Sequence, residues 1–309
     1  MPIKPPALKA GDVIGVVCPA QPVMFPPLLE EGVRCLEGLG FRVRAGPSVT
    51  RPFSYLAGTD RERAEEINVM FGDPEVRAIF CTSAGPWGGR LAPLLDYELI
   101  RRSPKVFMGM NGPTALLNAI HARTGLITFH GPAVEWDFSW HLSPYTKEYL
   151  FRALLSRRPV GRVTSRSPRP CLVPGRARGR LLGGCLRALA SLIGTPYEPD
   201  WEGAILFWEA AGCDVYQIDD HLTHLKLAGV FDRIAGMVVG RTVGWPERSH
   251  PAGPDLATII LELCGECGFP ILAEVDVGVA KDKATLPVGA MARMDAARGE
   301  LVVEESGVA

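Results

Sequence analysis

Residues 104–118 read PKVFMGMNGPTALLN. The apolar run Val106-Phe107-Met108 predicts a short buried strand, and a helix is predicted from Thr114 after a tight turn through residues 109–113. In many α/β enzymes this order of strand, sharp turn and helix raises one side chain above the sheet, beside a helix N-terminus that can stabilise an anion. That side chain is normally a nucleophile, but here it is the amide of Asn111. The stretch therefore predicts an α/β fold that keeps the shape of an active-site turn and lacks the nucleophilic side chain that usually lies at its tip.

Two interpretations of Asn111 remain open at the level of the sequence. The tip of such a turn requires a positive φ, which asparagine tolerates better than most other non-glycine residues, so Asn111 could simply preserve the turn. Alternatively, its amide donates a hydrogen bond to a carbonyl or oxyanion of a substrate.

The first half of the chain alternates predicted strands with predicted helices. This βαβ alternation predicts a Rossmann-like, mostly parallel sheet covered by helices. The helix predicted at 60–71 has Thr59 or Asp60 as its N-cap. The predicted strands are residues 13–18, 42–45, 76–81, 106–108 and 127–129, and the predicted helices are residues 28–39, 60–71 and 114–123.

Residues 156–180 interrupt this pattern, because they are rich in Arg, Pro, Gly and Ser and show little periodicity. We interpret them as a solvated interdomain linker. The chain is then divided into an N-terminal α/β domain (1–155), the linker (156–180) and a C-terminal α/β domain (181–309). The second domain is predicted to hold strands at 204–208, 236–239 and 271–275, helices at 185–193, 218–227 and 256–267, and a hairpin over 289–304.

Composition argues against several classes of function. The 309 residues carry a net charge of −1, which favours neither nucleic acid nor a membrane surface as a partner. Neither a membrane-length apolar run nor a signal-peptide core is evident, so we expect a cytoplasmic protein. Cys264 and Cys267 form a lone CxxC without a second ligand pair, and the sequence implies no metal or organic cofactor.

Glu209 is the candidate acid–base residue. It ends an apolar strand directly after Trp208, so partial desolvation is expected to raise its pKa toward neutrality. A structural ion pair or backbone hydrogen bond is the alternative role. His221 and His224 stand three residues apart on one predicted helix, a spacing that can share a metal, but without a third ligand a surface helix is the favoured interpretation.

Several short segments, taken in order, resemble the serine LD-carboxypeptidase family, which includes the microcin-immunity (MccF-like) peptidases. The resemblance spans nearly the whole chain and implies an LD-carboxypeptidase-like fold and a homodimer. No single segment is specific, but their ordered set is. The segments are LKAGD (8–12), IGVVCP (14–19), FGDP (71–74), LDY (95–97), TFHGP (128–132), LGG (182–184), IGT (193–195), ILFWE (205–209) and LPVG (286–289).

The resemblance also assigns positions for the family's catalytic triad. The nucleophilic serine of a Gly-Tyr-Ser-Asp-x-Thr turn falls on Asn111, with Met110 and Gly112 as its neighbours. The family glutamate falls on Glu209. The family histidine, in a Gly-His pair before a Leu-Pro-x-Gly segment, falls on Val279. The resemblance thus implies the fold and argues against serine-peptidase chemistry.

The resemblance further implies the residues that would line a substrate pocket. The Gly-rich Arg-Gly-Gly-Tyr-Gly loop of the family corresponds to residues 83–89, which read SAGPWGG. We therefore expect Ser83, Gly85 and Trp87 to contact substrate, together with Trp208, Val279, Met110 and Gly112. Ser83 could be a displaced nucleophile, but no base for it is evident.

These changes make the expected pocket less polar, which suits an apolar small molecule better than a charged muropeptide. The leading hypothesis is a repurposed enzyme in which Glu209 moves a proton and Asn111 holds an oxygen during an addition, cyclisation or isomerisation, in bacterial secondary metabolism. The alternatives are a residual LD-carboxypeptidase or amide hydrolase with a surrogate nucleophile, and a non-catalytic immunity protein that sequesters a ligand.

Overall fold

A computed structural model describes residues 2–50, 54–82, 85, 87–165, 167–241 and 254–309. The strands are β1 (Val13–Val17), β2 (Arg42–Ala45), β3 (Val76–Cys81), β4 (Val106–Gly109), β5 (Thr128–His130), β6 (Gly161–Arg162), β7 (Cys171–Val173), β8 (Arg176–Cys185), β9 (Ile205–Glu209), β10 (Gly236–Gly240), β11 (Ile271–Val275), β12 (Leu286–Val288), β13 (Met291–Asp295) and β14 (Glu300–Val303). The helices are α1 (Pro26–Gly38), α2 (Asp60–Gly72), α3 (Tyr97–Arg102), α4 (Pro113–Thr124), α5 (Pro144–Leu154), α6 (Leu186–Ala190), α7 (Val215–Leu227) and α8 (Leu256–Cys264).

The first sheet has the order β12-β5-β4-β3-β1-β2. Strands β1 to β5 pair in parallel, which confirms the predicted parallel sheet, and strand β1, which lies between β3 and β2, is buried along its whole length. Helix α2 begins at Asp60, and its N-cap is Thr59, one of the two predicted candidates, whose side chain caps the helix in a reciprocal pair with Glu62. The two-domain α/β fold class is confirmed.

The second sheet is mixed, with the order β6-β14-β13-β8-β9-β10-β11-β7. Its centre is parallel, from β8 through β9 and β10 to β11, and its flanks are antiparallel. One strand crosses between the two halves: β12 comes from the second half of the chain but pairs antiparallel with β5, placing Leu286 opposite His130. This pairing connects the second half of the chain to the first sheet, near the turn that follows β4.

The predicted linker contains more regular structure than expected, because β6, β7 and the first half of β8 all lie within residues 156–180. In β8 the exposed residues Arg176 and Arg178 alternate with the buried residues Ala177 and Gly179. That alternation is a period-two strand pattern, and the abundance of arginine obscured it. The prediction that residues 156–180 are irregular is therefore wrong, because they contain strands. The domain boundaries stay a prediction.

Within the described ranges, every helix is too short or too polar to cross a membrane.

Candidate functional site

The predicted sharp turn between a strand and a helix is present between β4 and α4. Asn111 lies at its tip with a φ of 59°, in the left-handed region, and its side chain is buried. The backbone N–H of Thr114 donates to the Asn111 carbonyl at 2.8 Å, which closes the turn. The side-chain Oδ1 of Asn111 has no hydrogen-bond partner among the described residues. The turn thus holds a buried amide whose oxygen is left available to a ligand.

Glu209 is the last residue of β9 and has no solvent exposure. Its Oε2 accepts a hydrogen bond from the backbone N–H of Ala211 at 3.0 Å, while Oε1 has no partner in the described part of the chain. Burial raises the pKa of Glu209 to about 7, and the Ala211 N–H and the charges of Lys283 and Arg187 oppose this shift only partly. Both protonation states are therefore populated near neutral pH.

Strand β8 connects the turn with Glu209. Cys185, the last residue of β8, pairs in register with Glu209, and its backbone N–H donates to Thr114 Oγ1 in the first turn of α4 at 3.1 Å. On the other side, Gly278 packs so closely that a Cβ there would lie 2.6 Å from the Cβ of Glu209. The carboxyl end of β9 is therefore enclosed between the α4 junction and the segment that carries Val279.

A cavity of about 600 Å³ opens beside this junction. Its lining includes Gly112, which follows Asn111, and Cys185, which lies opposite Glu209. Trp87 and Arg187 also line it. Asn111 and Glu209 themselves lie outside this lining, in agreement with their burial. Such a volume is suited to a small molecule.

Comparison with known proteins identifies the fold. The family model of the LD-carboxypeptidase N-terminal domain matches residues 14–131, and that of the LD-carboxypeptidase C-terminal domain matches residues 178–294. The chain belongs to the LD-carboxypeptidase family. The resemblance inferred from the ordered sequence segments is thus confirmed.

Relatives of known description agree with this assignment. A probable murein peptide carboxypeptidase of Bacillus subtilis is 36% identical over 302 residues, which are 97% of this chain and 94% of that protein. The apo structure of the microcin C7 self-immunity protein MccF superposes with a TM-score of 0.92 at 26% identity, over 100% of both chains. A structure of MccF in complex with aspartyl sulfamoyl adenosine gives a TM-score of 0.91 at the same identity and coverage.

Relative to this LD-carboxypeptidase framework, Trp208 departs from its predicted role. It was expected to shape the substrate pocket, but it is fully buried in the hydrophobic core and does not line the 600 Å³ cavity. Successive side chains of a strand point to opposite faces, so Trp208 and Glu209 face different ways. Met110 is also buried, while Trp87 and Gly112 line the cavity, and their expected contact with substrate stays a prediction.

The remaining predicted pocket residues are distributed around the junction. Val279 lines a different cavity of about 410 Å³, together with Trp136 and Lys281. Gly85 is buried and packs against Gln21, where a Cβ would lie 2.6 Å from the Gln21 Cγ. Ser83 lies outside the described residues.

His130 is a buried histidine at this junction whose environment the sequence did not predict. It pairs with Gly109, the last residue of β4, and its ring lies edge-on to Phe207 at 5.5 Å between centroids. Neither ring nitrogen has a hydrogen-bond partner among the described residues. Burial, assisted by the charge of Lys283, lowers the pKa of His130 to about 3, so the ring is neutral at pH 7. The nearby cation Lys283 is itself buried and pairs with Asp137.

The described ranges contain no group of three or more His, Cys, Asp or Glu residues that could hold a metal ion. His221 and His224 both lie on α7, and burial lowers the pKa of His221. Cys264 is buried at the end of α8, which raises the pKa of its thiol to about 12.

Proposed function

We propose that this LD-carboxypeptidase family member catalyses a non-hydrolytic acid–base reaction on a mostly apolar small molecule. Glu209 transfers the proton, and the Asn111 amide binds an oxygen or N–H of the substrate. The reaction class is an intramolecular addition, cyclisation or isomerisation, which needs positioning and proton transfer but no covalent intermediate. We place this reaction in bacterial secondary metabolism.

The observation that carries this proposal is the amide at the tip of the turn. An amide at position 111 cannot attack a carbonyl as a serine hydroxyl does, yet its buried Oδ1 has no partner among the described residues. A buried, unpaired polar atom costs about 1–3 kcal/mol, so a ligand that pairs with it recovers that cost. The residue is thus suited to holding a substrate.

Cavity residues with nucleophilic groups do not supply a replacement. Burial raises the pKa of the Cys185 thiol far above neutrality, so it stays protonated and weakly nucleophilic. The hydroxyl of Ser191 donates to the Ala188 carbonyl at 2.7 Å, and that of Thr195 donates to the Leu192 carbonyl at 2.6 Å. Both hydroxyls are therefore engaged with backbone, and neither has a histidine or carboxylate partner in the described structure.

Glu209 supports proton transfer, because a pKa near 7 makes a carboxyl group both an effective acid and an effective base at neutral pH. Its Oε1, which has no partner among the described residues, is the atom available for the proton. At an ordinary pKa near 4.5 the group would be ionised almost completely at pH 7 and could act only as a weak base. The burial of β9 in the junction is what gives Glu209 this property.

The relatives define the competing functions. One is described as a murein peptide carboxypeptidase, and MccF is described as a self-immunity protein that has been seen with sulfamoyl nucleotides. A residual hydrolase would cleave such compounds, and a sequestering protein would bind them without turnover. A homodimer and a cytoplasmic location stay predictions here.

The test is to incubate the protein with a murein tetrapeptide, with aspartyl sulfamoyl adenosine and with small-molecule extracts of the host, and to follow masses by mass spectrometry. We expect neither peptide nor sulfamate cleavage, and an extract component that converts to a product of unchanged mass. Cleavage with the gain of one water would contradict the proposal and favour the hydrolase. Binding without any conversion would favour the sequestering protein.

A further inference from the structure

The 600 Å³ cavity carries cationic groups without acidic ones. Its described lining residues include two arginines, Arg90 and Arg187, and no aspartate or glutamate. Most of the others are apolar or aromatic, among them Trp87, Leu192 and Tyr197. A cavity of this composition favours a ligand that combines an apolar body with a negative charge.

The two arginines differ in whether they already form an ion pair. Arg90 forms an ion pair with Asp60, with 2.8 Å between Nη2 and Oδ2, and its Nε donates to the same oxygen at 3.0 Å. The side chain of Arg187 is half-buried and makes neither an ion pair nor a hydrogen bond with any residue in the described ranges. Arg187 therefore carries a partly desolvated guanidinium whose N–H donors have no partner among the described residues. A carboxylate can accept two parallel hydrogen bonds from a guanidinium.

Arg187 also lies close to the proposed chemistry. It follows two residues after Cys185, which pairs with Glu209 and donates to Thr114 of the turn. An acidic group held by Arg187 would therefore bring the rest of the ligand to the end of the cavity nearest Gly112, directly after Asn111.

We propose that Arg187 recognises a carboxylate on the substrate, so that the substrate class is a mostly apolar, monoanionic carboxylic acid whose body lies against Trp87 and Tyr197. A monoanion matches the one guanidinium in this cavity that forms no ion pair with a described residue, whereas a phosphate dianion would call for more positive charge. This inference rests on the proposed function for the location of the chemistry, but its binding test does not require turnover.

The experiment measures binding by isothermal titration calorimetry with matched probes: 4-phenylbutyrate, its neutral amide 4-phenylbutanamide and 4-phenylbutylphosphonate. Wild-type protein should bind the acid at least about tenfold more tightly than the amide, and Arg187→Ala should remove that preference. Arg90→Ala is the matched control, because it removes a cavity arginine whose charge is already paired, and it should change the preference less than about threefold. Arg187→Lys should keep part of the preference for the acid over the amide, because lysine retains the positive charge but not the bidentate geometry.

Three results would each overturn the inference. Wild-type protein binds the acid and the amide equally well, it binds no acid up to about 10 mM, or Arg187→Ala keeps the wild-type preference for the acid. A tenfold preference for the phosphonate over the acid would overturn the assignment to a carboxylate. Glu209→Gln separates the two proposals. If it retains turnover while Arg187 controls acid binding, the acid–base function fails and the recognition site stands. If Glu209→Gln abolishes turnover while acid binding is unaffected by substitution of Arg187, the recognition site fails and the acid–base function stands.

Discussion

At position 209 a carboxyl group is kept fully buried, with one oxygen bonded to the Ala211 N–H and the other without a partner among the described residues. Glu209→Gln keeps the size of the side chain and can still accept the Ala211 hydrogen bond, but it cannot exchange a proton. We expect turnover of the isolated substrate to fall by about 100- to 10,000-fold, the usual contribution of a general acid–base group. Initial rates, with circular dichroism as the control for folding, measure this effect. A variant that turns over at the wild-type rate would leave Glu209 with a structural role only.

Residue 111 offers a second test, which asks whether a serine at this position gives peptidase activity. Asn111→Ser alone should not cleave a murein tetrapeptide, because a serine hydroxyl without a base is a weak nucleophile. Because the family resemblance places the histidine of the triad at position 279, Asn111→Ser combined with Val279→His should give measurable release of the terminal amino acid. Chromatography of the released amino acid compares the single, double and Glu209→Gln triple variants. Robust cleavage by the single variant would show that a base survives elsewhere.

Among the elements, the loop between β11 and β12 packs closely against Glu209 through Gly278. Gly278 has a φ of 91°, and a Cβ there would lie 2.6 Å from the Cβ of Glu209. Gly278→Ala should therefore displace Glu209 as well as strain the backbone. Gly268→Ala is a matched control, because Gly268 has a φ of 82° and a Cβ added there would have none of the described atoms within 4 Å. The control should lose about 1–2 kcal/mol from strain alone.

We expect Gly278→Ala to lose about 1–3 kcal/mol more than the control, because the added methyl overpacks a buried site, and to reduce turnover as well. Urea unfolding gives both free energies, provided that the two denaturant slopes agree. Equal destabilisation of the two variants would mean that Gly278 does not hold Glu209 in place.

Elements with strong local signals were predictable from the sequence. The cap at Thr59 and the acidic first turn located α2, and the apolar run 76–81 gave β3 with its observed bounds. By contrast, β6, β7 and the first half of β8 fall within the predicted linker, because the arginines that alternate along β8 look like a solvated segment until their partners are known. Arg176 pairs with Asp295 and Arg178 with Glu304, both more than 100 residues away in sequence. Pairing of that kind is decided by tertiary structure.

The site was predictable where a motif was local. The turn at Asn111 and the strand ending at Glu209 each follow from a few neighbouring residues. Arg187 and the environment of His130 were missed, since a guanidinium without an ion-pair partner or a desolvated imidazole depends on what the rest of the fold places around it. The expectation that Trp208 contacts substrate disagrees with the period-two alternation of β9, which directs Trp208 and Glu209 to opposite faces.

At the scale of the whole molecule, the two sheets share one junction. Strand β12 from the second half of the chain completes the first sheet beside His130, and β8 of the second sheet bonds to α4 through Cys185 and Thr114. Glu209 and His130 are both fully or almost fully buried there. Because burial of ionisable groups couples folding to protonation, the junction should give the stability of the protein a characteristic dependence on pH.

For Glu209 the folded-state pKa is about 7, raised from an ordinary value of 4.5. Between these values the folded protein keeps a proton that the unfolded chain releases, so this group stabilises the fold fully below about pH 4.5, and its contribution is lost as the pH rises through 7. At about 1.4 kcal/mol per pKa unit, the loss is on the order of 3 kcal/mol. His130 acts in the opposite sense, because its pKa is lowered to about 3 and its contribution is lost as the pH falls below its ordinary value of 6.5.

Glu209 and His130 have opposite effects on how the unfolding free energy of the wild-type protein depends on pH. The decisive quantity is therefore the unfolding free energy of Glu209→Gln minus that of the wild type, because the His130 contribution cancels in this difference. That difference in unfolding free energy, measured by urea denaturation at intervals from about pH 4.5 to 8, should move in favour of the variant by up to about 3 kcal/mol. Most of the change should fall between about pH 5 and 7, where the folded and unfolded states differ in protonation. A difference that stays constant with pH would mean that Glu209 titrates as an ordinary carboxyl group, and the proposed acid–base role would lose its physical basis.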